Sequence, residues 1–201
     1  MNTPVKNKRN SGVSLIEVMV TVFILSIGLL GIAALQIQSK RVNLGAVERT
    51  TASMLANEMI ERMRANPSAL KDYLDEVSSS GIGEGNRAVP SLDCDTSEPC
   101  TAFDVVLHDL YQWEQSIMGA AETNTAGVQK GGLASPTACI DGPVVGGAGI
   151  YTVSIAWRGR GAISDPTPND CGRGSGKYDG DEGTDVYRRL LTLNVFINDI
   201  F

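Results

Sequence analysis

Hydrophobic residues follow three different patterns along this chain. Over residues 13–35 they run almost unbroken, and Glu17 is the only charge. Residues 18–35 carry no charge at all. As a helix at about 1.5 Å per residue, those 18 positions cover roughly 27 Å, close to the apolar thickness of a bilayer. The second pattern is a stripe. Ala52, Leu55, Ala56, Met59, Ile60 and Met63 recur at helical spacing among charged neighbours, which packs one side of a helix on a globular body. Residues 36–64 contain no proline, and only Gly45 interrupts good helix formers. One helix is therefore expected from about Ser14 to Ala65. The third pattern is alternation. Tyr151, Val153, Ile155 and Trp157 alternate with Thr152, Ser154 and Ala156, and Leu191, Leu193, Val195 and Ile197 alternate with Leu190, Thr192, Asn194 and Phe196. Strands are expected over 150–157 and 187–197, with a weaker one over 137–140.

Shorter elements fill the gaps. Asn66-Pro67 ends the long helix and begins another over 68–77, with Asn66 as its cap and Pro67 in its first turn. Thr101 and Asp104 form a capping pair for a helix over 102–120, whose shared face holds Phe103, Val106, Leu107, Leu110, Trp113 and Ile117. Residues 78–98 and 121–135 read as loops. Residues 158–186 are dense in Gly, Asp and Pro and long for a hairpin connection, which marks a functional or a mobile loop. The sum is an α+β body: a small antiparallel sheet packed on the second half of the long helix, with an extra helix.

Charge sets the orientation. Residues 1–12 hold Lys6, Lys8 and Arg9 and no acid, so the N-terminus is expected on the cytoplasmic side and the body outside. The formal charge is −6, and loss of those three cations with the first 12 residues makes it −9. An acidic exported body argues against direct nucleic-acid binding. The four cysteines, Cys94, Cys100, Cys139 and Cys171, all follow the apolar run. An even count in an exported body points to two disulfides. Three pairings are possible, and Cys94–Cys100 with Cys139–Cys171 is favoured. There is no CxxC pair and a single histidine, so a cysteine zinc site is not expected.

Few residues suggest catalysis. Gly172, Gly174, Gly176 and Lys177 fail as a phosphate loop, because Tyr178 follows the lysine and Cys171 stands where the first glycine belongs. Gly146-Gly147-Ala148-Gly149 precedes a strand and not a helix, so it is no dinucleotide fingerprint. Asp179, Asp181, Gly183 and Asp185 alternate as calcium ligands do, but without the full EF-hand pattern, and an acidic surface loop is the simpler reading. His108 stands alone on its helix and reads as solvated or hydrogen-bonded. No enzyme, cofactor or metal is expected.

Glu17 is the anomaly. A carboxylate at the start of a membrane helix needs a partner, since at the centre it would cost on the order of 2.5–3.5 kcal/mol. Cleavage after Gly12 would free an amine on Val13, and a neighbouring copy's amine could neutralise Glu17 inside an apolar bundle. Gly12-Val13-Ser14-Leu15-Ile16-Glu17, with its basic leader and unbroken helix, resembles the class III signal of type IV pilins and pseudopilins. Val13 departs from the phenylalanine usual at the first mature position. The run ending Arg64-Ala65-Asn66-Pro67, Cys100 ahead of a helix with Asp109 and Trp113, and a strand ending Trp157-Arg158 are similar to PilV-like minor pilins, the type IV pilus modification proteins.

That resemblance implies a pilin-like fold and four parts: a cleaved leader (1–12), a membrane and assembly helix (13–36), the amphipathic half of the spine (37–66) and a periplasmic head (67–201). It implies cutting between Gly12 and Val13 by a prepilin peptidase, N-methylation of Val13, and an assembly role for Glu17. Other major and minor pilins, the inner-membrane assembly platform and membrane lipid are the implied partners. The chain would wait as a single-pass inner-membrane protein, then prime or enter a filament that serves adhesion and twitching. A minor pseudopilin of a type II secretion system shares these features. A membrane-anchored periplasmic enzyme or sensor would stay uncut and would not need Glu17. An ordinary secretory signal, cut near Gly31-Ile32-Ala33, should avoid a charge in its apolar core. A major pilin is opposed by the long loops and by the lack of proline in the membrane run.

Overall fold

The computed structural model describes residues 12–77, 81–95, 99–120, 125, 131–163, 169–181 and 183–198. Residues 1–11 of the expected leader, and most of the 121–135 loop, lie outside them. Helix α1 spans Leu15–Ala65, 51 residues. A 3₁₀ turn at Pro67–Ala69 leads into α2, Leu70–Glu76, and α3 covers Ala102–Met118. Strands β1 (Thr137–Asp141), β2 (Gly149–Arg158) and β3 (Arg188–Ile197) form one antiparallel sheet in the order β1-β2-β3. The architecture is the expected α+β one. The chain divides into two units between Leu44 and Gly45.

The second unit holds the core. Ala52, Leu55, Ala56, Met59, Ile60 and Met63, the whole stripe read from the sequence, are buried, together with Leu70, Tyr73, Leu110, Trp113, Tyr151, Val153 and Ile155. Burying each large side chain contributes roughly 1.5–3 kcal/mol. The Trp113 indole N–H donates to the Leu55 carbonyl at 2.9 Å and fixes α3 on α1.

Three expectations are corrected here. Asn66 does not cap the next helix; its side-chain amide donates to the Ala102 carbonyl at 2.8 Å and ties the end of α1 to the start of α3. Phe103 leaves the buried face of α3 and is exposed, because it precedes the first position that faces the core. Helix α3 stops two residues early. Gly119 turns left-handed at φ +71°, and Gly131 and Gly132 lie against the place a Cβ would occupy, so only glycine fits. The capping pair stands as read: the Thr101 hydroxyl accepts from the Asp104 N–H, and the Asp104 carboxylate accepts from the Thr101 N–H. Hydrogen bonds from the Thr101 hydroxyl and then its N–H hold the Asp104 carboxyl below the usual range.

The sheet is buried on more than one face. Its register sets Ile155 opposite Ala138 and Leu191, and Val153 opposite Ile140 and Leu193, all facing the core. The other face carries Thr137, Cys139, Ser154 and Ala156, which are buried although alternation marks their face as the solvated one. The described part of the Gly/Asp-rich segment covers them. Asn169 donates to the Ser154 hydroxyl at 2.8 Å, the Tyr178 hydroxyl lies 2.9 Å from that of Thr137, and a Cys139–Cys171 disulfide anchors the segment to β1.

Candidate functional site

The first unit contains the expected processing and assembly residues. Gly12, Val13 and Ser14 are exposed and not helical, so the peptide bond at the expected cut lies in irregular chain. The Glu17 N–H donates to the Ser14 carbonyl at 3.0 Å, and that of Val18 at 3.3 Å, which starts α1. Glu17 therefore sits in its first turn, where free N–H groups favour a carboxylate. Beyond it α1 shows apolar side chains on all sides: Val20, Phe23, Ile24, Leu25, Leu29 and Leu30 are all exposed. The hydroxyls of Thr21 and Ser26 donate back to the Val18 and Val22 carbonyls at 2.8 and 2.7 Å, so neither needs water. The helix is long and apolar enough to cross a membrane. Gly28 and Gly31 have open space where a side chain would stand, which permits close approach of a second helix.

The second unit is held by buried polar groups that join its elements. Asp109 on α3 accepts from Arg62 of α1 at 2.7 Å and from the Tyr73 hydroxyl of α2, so one carboxylate ties three helices. Burial draws the Arg62 guanidinium down, but Asp109 and Glu58 outweigh it and its pKa is raised. Burial first, then Asp109, push the Tyr73 phenol far above its ordinary value. Glu114, 2% exposed, grips the segment after α2. Its Oε1 accepts from the N–H groups of Gly83, Glu84 and Gly85 at 3.0, 3.2 and 3.1 Å, and its Oε2 from that of Arg87 at 3.1 Å. Ile82 in the same segment exchanges two backbone hydrogen bonds with Ala138, adding a one-residue bridge to β1. Trp157, at the end of β2, and Arg160 reach Glu48 of α1 at 3.3 and 3.2 Å.

The long segment after β2 is organised by arginines. Buried Arg188 donates to the carbonyls of Cys171 (3.0 Å) and Asn169, and Arg158 to those of Lys177 and Asp179 at 2.6 and 3.1 Å, with its guanidinium over the Tyr187 ring. Two of the alternate acids accept from backbone. Asp179 accepts from the Asp185 N–H at 3.0 Å, and Asp185 Oδ2 from that of Gly174 at 2.8 Å. Asp185 Oδ1 has no hydrogen-bond partner among the described residues, but no third ligand converges on it there. Cys94 is joined to Cys100 and Cys139 to Cys171, the two pairs favoured from the sequence. His108 is hydrogen-bonded, one of the two states expected for it: its Nε2 lies 3.3 Å from the Gln112 amide nitrogen, and its side chain is 12% exposed.

Sequence reading did not assign Asp109 or Glu114 a structural task, although both stand inside the apolar stripe of α3. An acid at a core-facing helical position is the signal that finds them.

Residues 34–111 match a family model described as type IV pilin Tt1218-like, and residues 7–33 match the prokaryotic N-terminal methylation motif. Both matches are consistent with a type IV pilin. Together the two span just over half of the sequence, and the sheet lies beyond both. Neither curated proteins nor solved structures give a match. The methylation motif covers Gly12, Val13 and Glu17, and the pilin model covers the rest of α1, all of α2 and the Arg62–Asp109–Tyr73 junction. The long apolar helix, small antiparallel sheet and added helices are a pilin-like α+β fold, and the matches fit a structural subunit that is membrane-anchored and assembled with other pilins.

Proposed function

We propose that this pilin is a PilV-like minor subunit, cut between Gly12 and Val13 by a prepilin peptidase and methylated on Val13. The reading rests on one observation above all: an exposed Gly12-Val13 segment opens directly into a helix whose residues up to Leu35 are apolar on every side, with Glu17 their only charge. Before assembly the helix is held in the inner membrane with the head in the periplasm. The apolar faces of neighbouring helices then replace lipid, which preserves burial of the same side chains. In that medium the carboxylate of Glu17 requires a cation, and the Val13 amine of an adjacent subunit supplies one. Two unit charges about 4 Å apart attract by roughly 4 kcal/mol at an effective dielectric of 20, enough to favour one stagger of neighbouring helices over others. The acidic head leaves DNA contact to other subunits.

Glu17→Ala tests the assembly role. The variant should be processed normally and yet be strongly depleted from sheared filaments, whereas undiminished abundance there refutes the pairing. Deleting the gene tests the machine. Loss of twitching with intact exoprotein secretion fits a pilus subunit, and the opposite phenotype assigns the chain to a secretion pseudopilus.

A further inference from the structure

We infer that Asp93, Asp95 and His108 form a binding site for a divalent transition-metal ion, zinc being the best fit. The three residues come from two elements. Asp93 and Asp95 flank Cys94, whose disulfide to Cys100 closes the segment just before α3, and His108 lies in the second turn of α3. His108 Nε2 stands 3.6 Å from Asp93 Oδ1 and 3.7 Å from Asp95 Oδ2, and the three ligand atoms all lie within 4.8 Å of one another. In a tetrahedral centre with bonds of about 2.1 Å, ligand atoms stand roughly 3.4 Å apart. Both His–Asp separations are thus within a few tenths of an ångström of the required span, and only the two carboxylates need to draw together.

The surroundings favour the same reading. His108 is mostly buried while both acids are exposed, so the imidazole is held and the carboxylates can adjust. The Asp95 N–H donates to Asp93 Oδ1 at 3.1 Å, which keeps the two acids on one side of the turn. Gln112, one helical turn after His108, has its amide 3.3 Å from His108 Nε2 and 2.9 Å from Asp95 Oδ2. Rotating that amide would offer its oxygen as a further ligand. A cleft of about 300 Å³, lined by Val89, Pro90, Leu92 and Tyr111 besides these residues, leaves room for an ion and its water. An imidazole nitrogen beside two carboxylates suits zinc, whereas calcium and magnesium prefer oxygen alone. The bound ion would staple the Cys94–Cys100 segment to α3 on the surface of the head.

The test uses the mature full-length chain in detergent, stripped with EDTA and titrated with Zn²⁺ against a chromogenic chelator. The expected result is one saturable equivalent per chain, weakened about tenfold or more by His108→Ala and by Asp95→Asn, and unchanged by Asp141→Asn. X-ray absorption of the zinc-loaded protein should show one imidazole among light ligands. Asp93→Asn changes an exposed side chain, so it supplies the same readout should His108→Ala fold poorly. Absence of saturable binding overturns the proposal. So does binding indifferent to all three ligand substitutions, or tighter binding of Ca²⁺ than of Zn²⁺.

Discussion

Glu114→Gln isolates the grip of α3 on the segment that follows α2. The wild-type carboxylate is 2% exposed and accepts four backbone hydrogen bonds, three on Oε1 and one on Oε2. Glutamine has nearly the same shape but keeps a single acceptor oxygen. Three bonds would pass from charged to neutral acceptors, each weaker by about 1 kcal/mol, and the Arg87 N–H would face an amide donor at a cost of about 1–3 kcal/mol. Relief from desolvating a charge offsets part of this, leaving a net loss of about 2–4 kcal/mol. For a chain of this size, that lowers Tm by roughly 5–15 °C. The assay is near-UV circular dichroism of the mature chain in detergent, since Trp113 and Trp157 are buried and report on the head alone. Trypsin cleavage after Arg87 should accelerate in parallel. Glu61→Gln, an exposed position on α1, is the control. A Glu114→Gln protein melting within about 1 °C of wild type, with unchanged cleavage, would refute the reasoning.

Two further outcomes follow from the head. Replacing Cys139 and Cys171 together with serine opens a bridge of sequence separation 32 and should cost about 3–4 kcal/mol by loop entropy; a denaturant melt reads the loss, and the outer-face residues Ser154 and Thr137 should gain hydrogen exchange. The phenol of Tyr178 is pushed up to about 12, by burial and against the opposing hydrogen bond to Thr137. The unfolded chain therefore sheds that proton first, so its contribution to stability is complete below about pH 10 and is lost as pH rises towards 12. Tyrosinate absorbance should include a late component that Tyr178→Phe reduces, and the same variant should flatten the alkaline fall in stability. A late component of the same size in wild type and in Tyr178→Phe would contradict the buried placement.

The parts of this protein that obey one period were readable from its residues. The stripe from Ala52 to Met63 gave the packed side of α1, and the alternation of Tyr151, Val153, Ile155 and Trp157 gave β2 and its inward face. The capping pair at Thr101 and Asp104 placed the start of α3 because its chemistry is local. What escaped was set by distant partners. Asn66 has the makings of a cap, but the Ala102 carbonyl, 36 positions away, takes its amide. Ser154 and Ala156 look solvated by alternation and are covered by a glycine-rich segment whose path depends on Arg188 and a disulfide. His108 looked solitary because Asp93 and Asp95, on an earlier loop, come within 3.6 and 3.7 Å of it only in the folded chain. Gly12, Val13 and Glu17 were legible as a candidate signal for the opposite reason. Their signal is contiguous, and it lies within a matched motif.

The central claim is that a helix apolar on all sides passes from lipid into a filament after its leader is removed, with Glu17 answered by a neighbour's new amine. Mass spectrometry of the protein from membranes and from sheared filaments reads this at the N-terminus. A chain beginning at N-methylated Val13 in both fractions is the expected result. A chain that retains residues 1–12 in filaments, or that begins within residues 18–35, would contradict it.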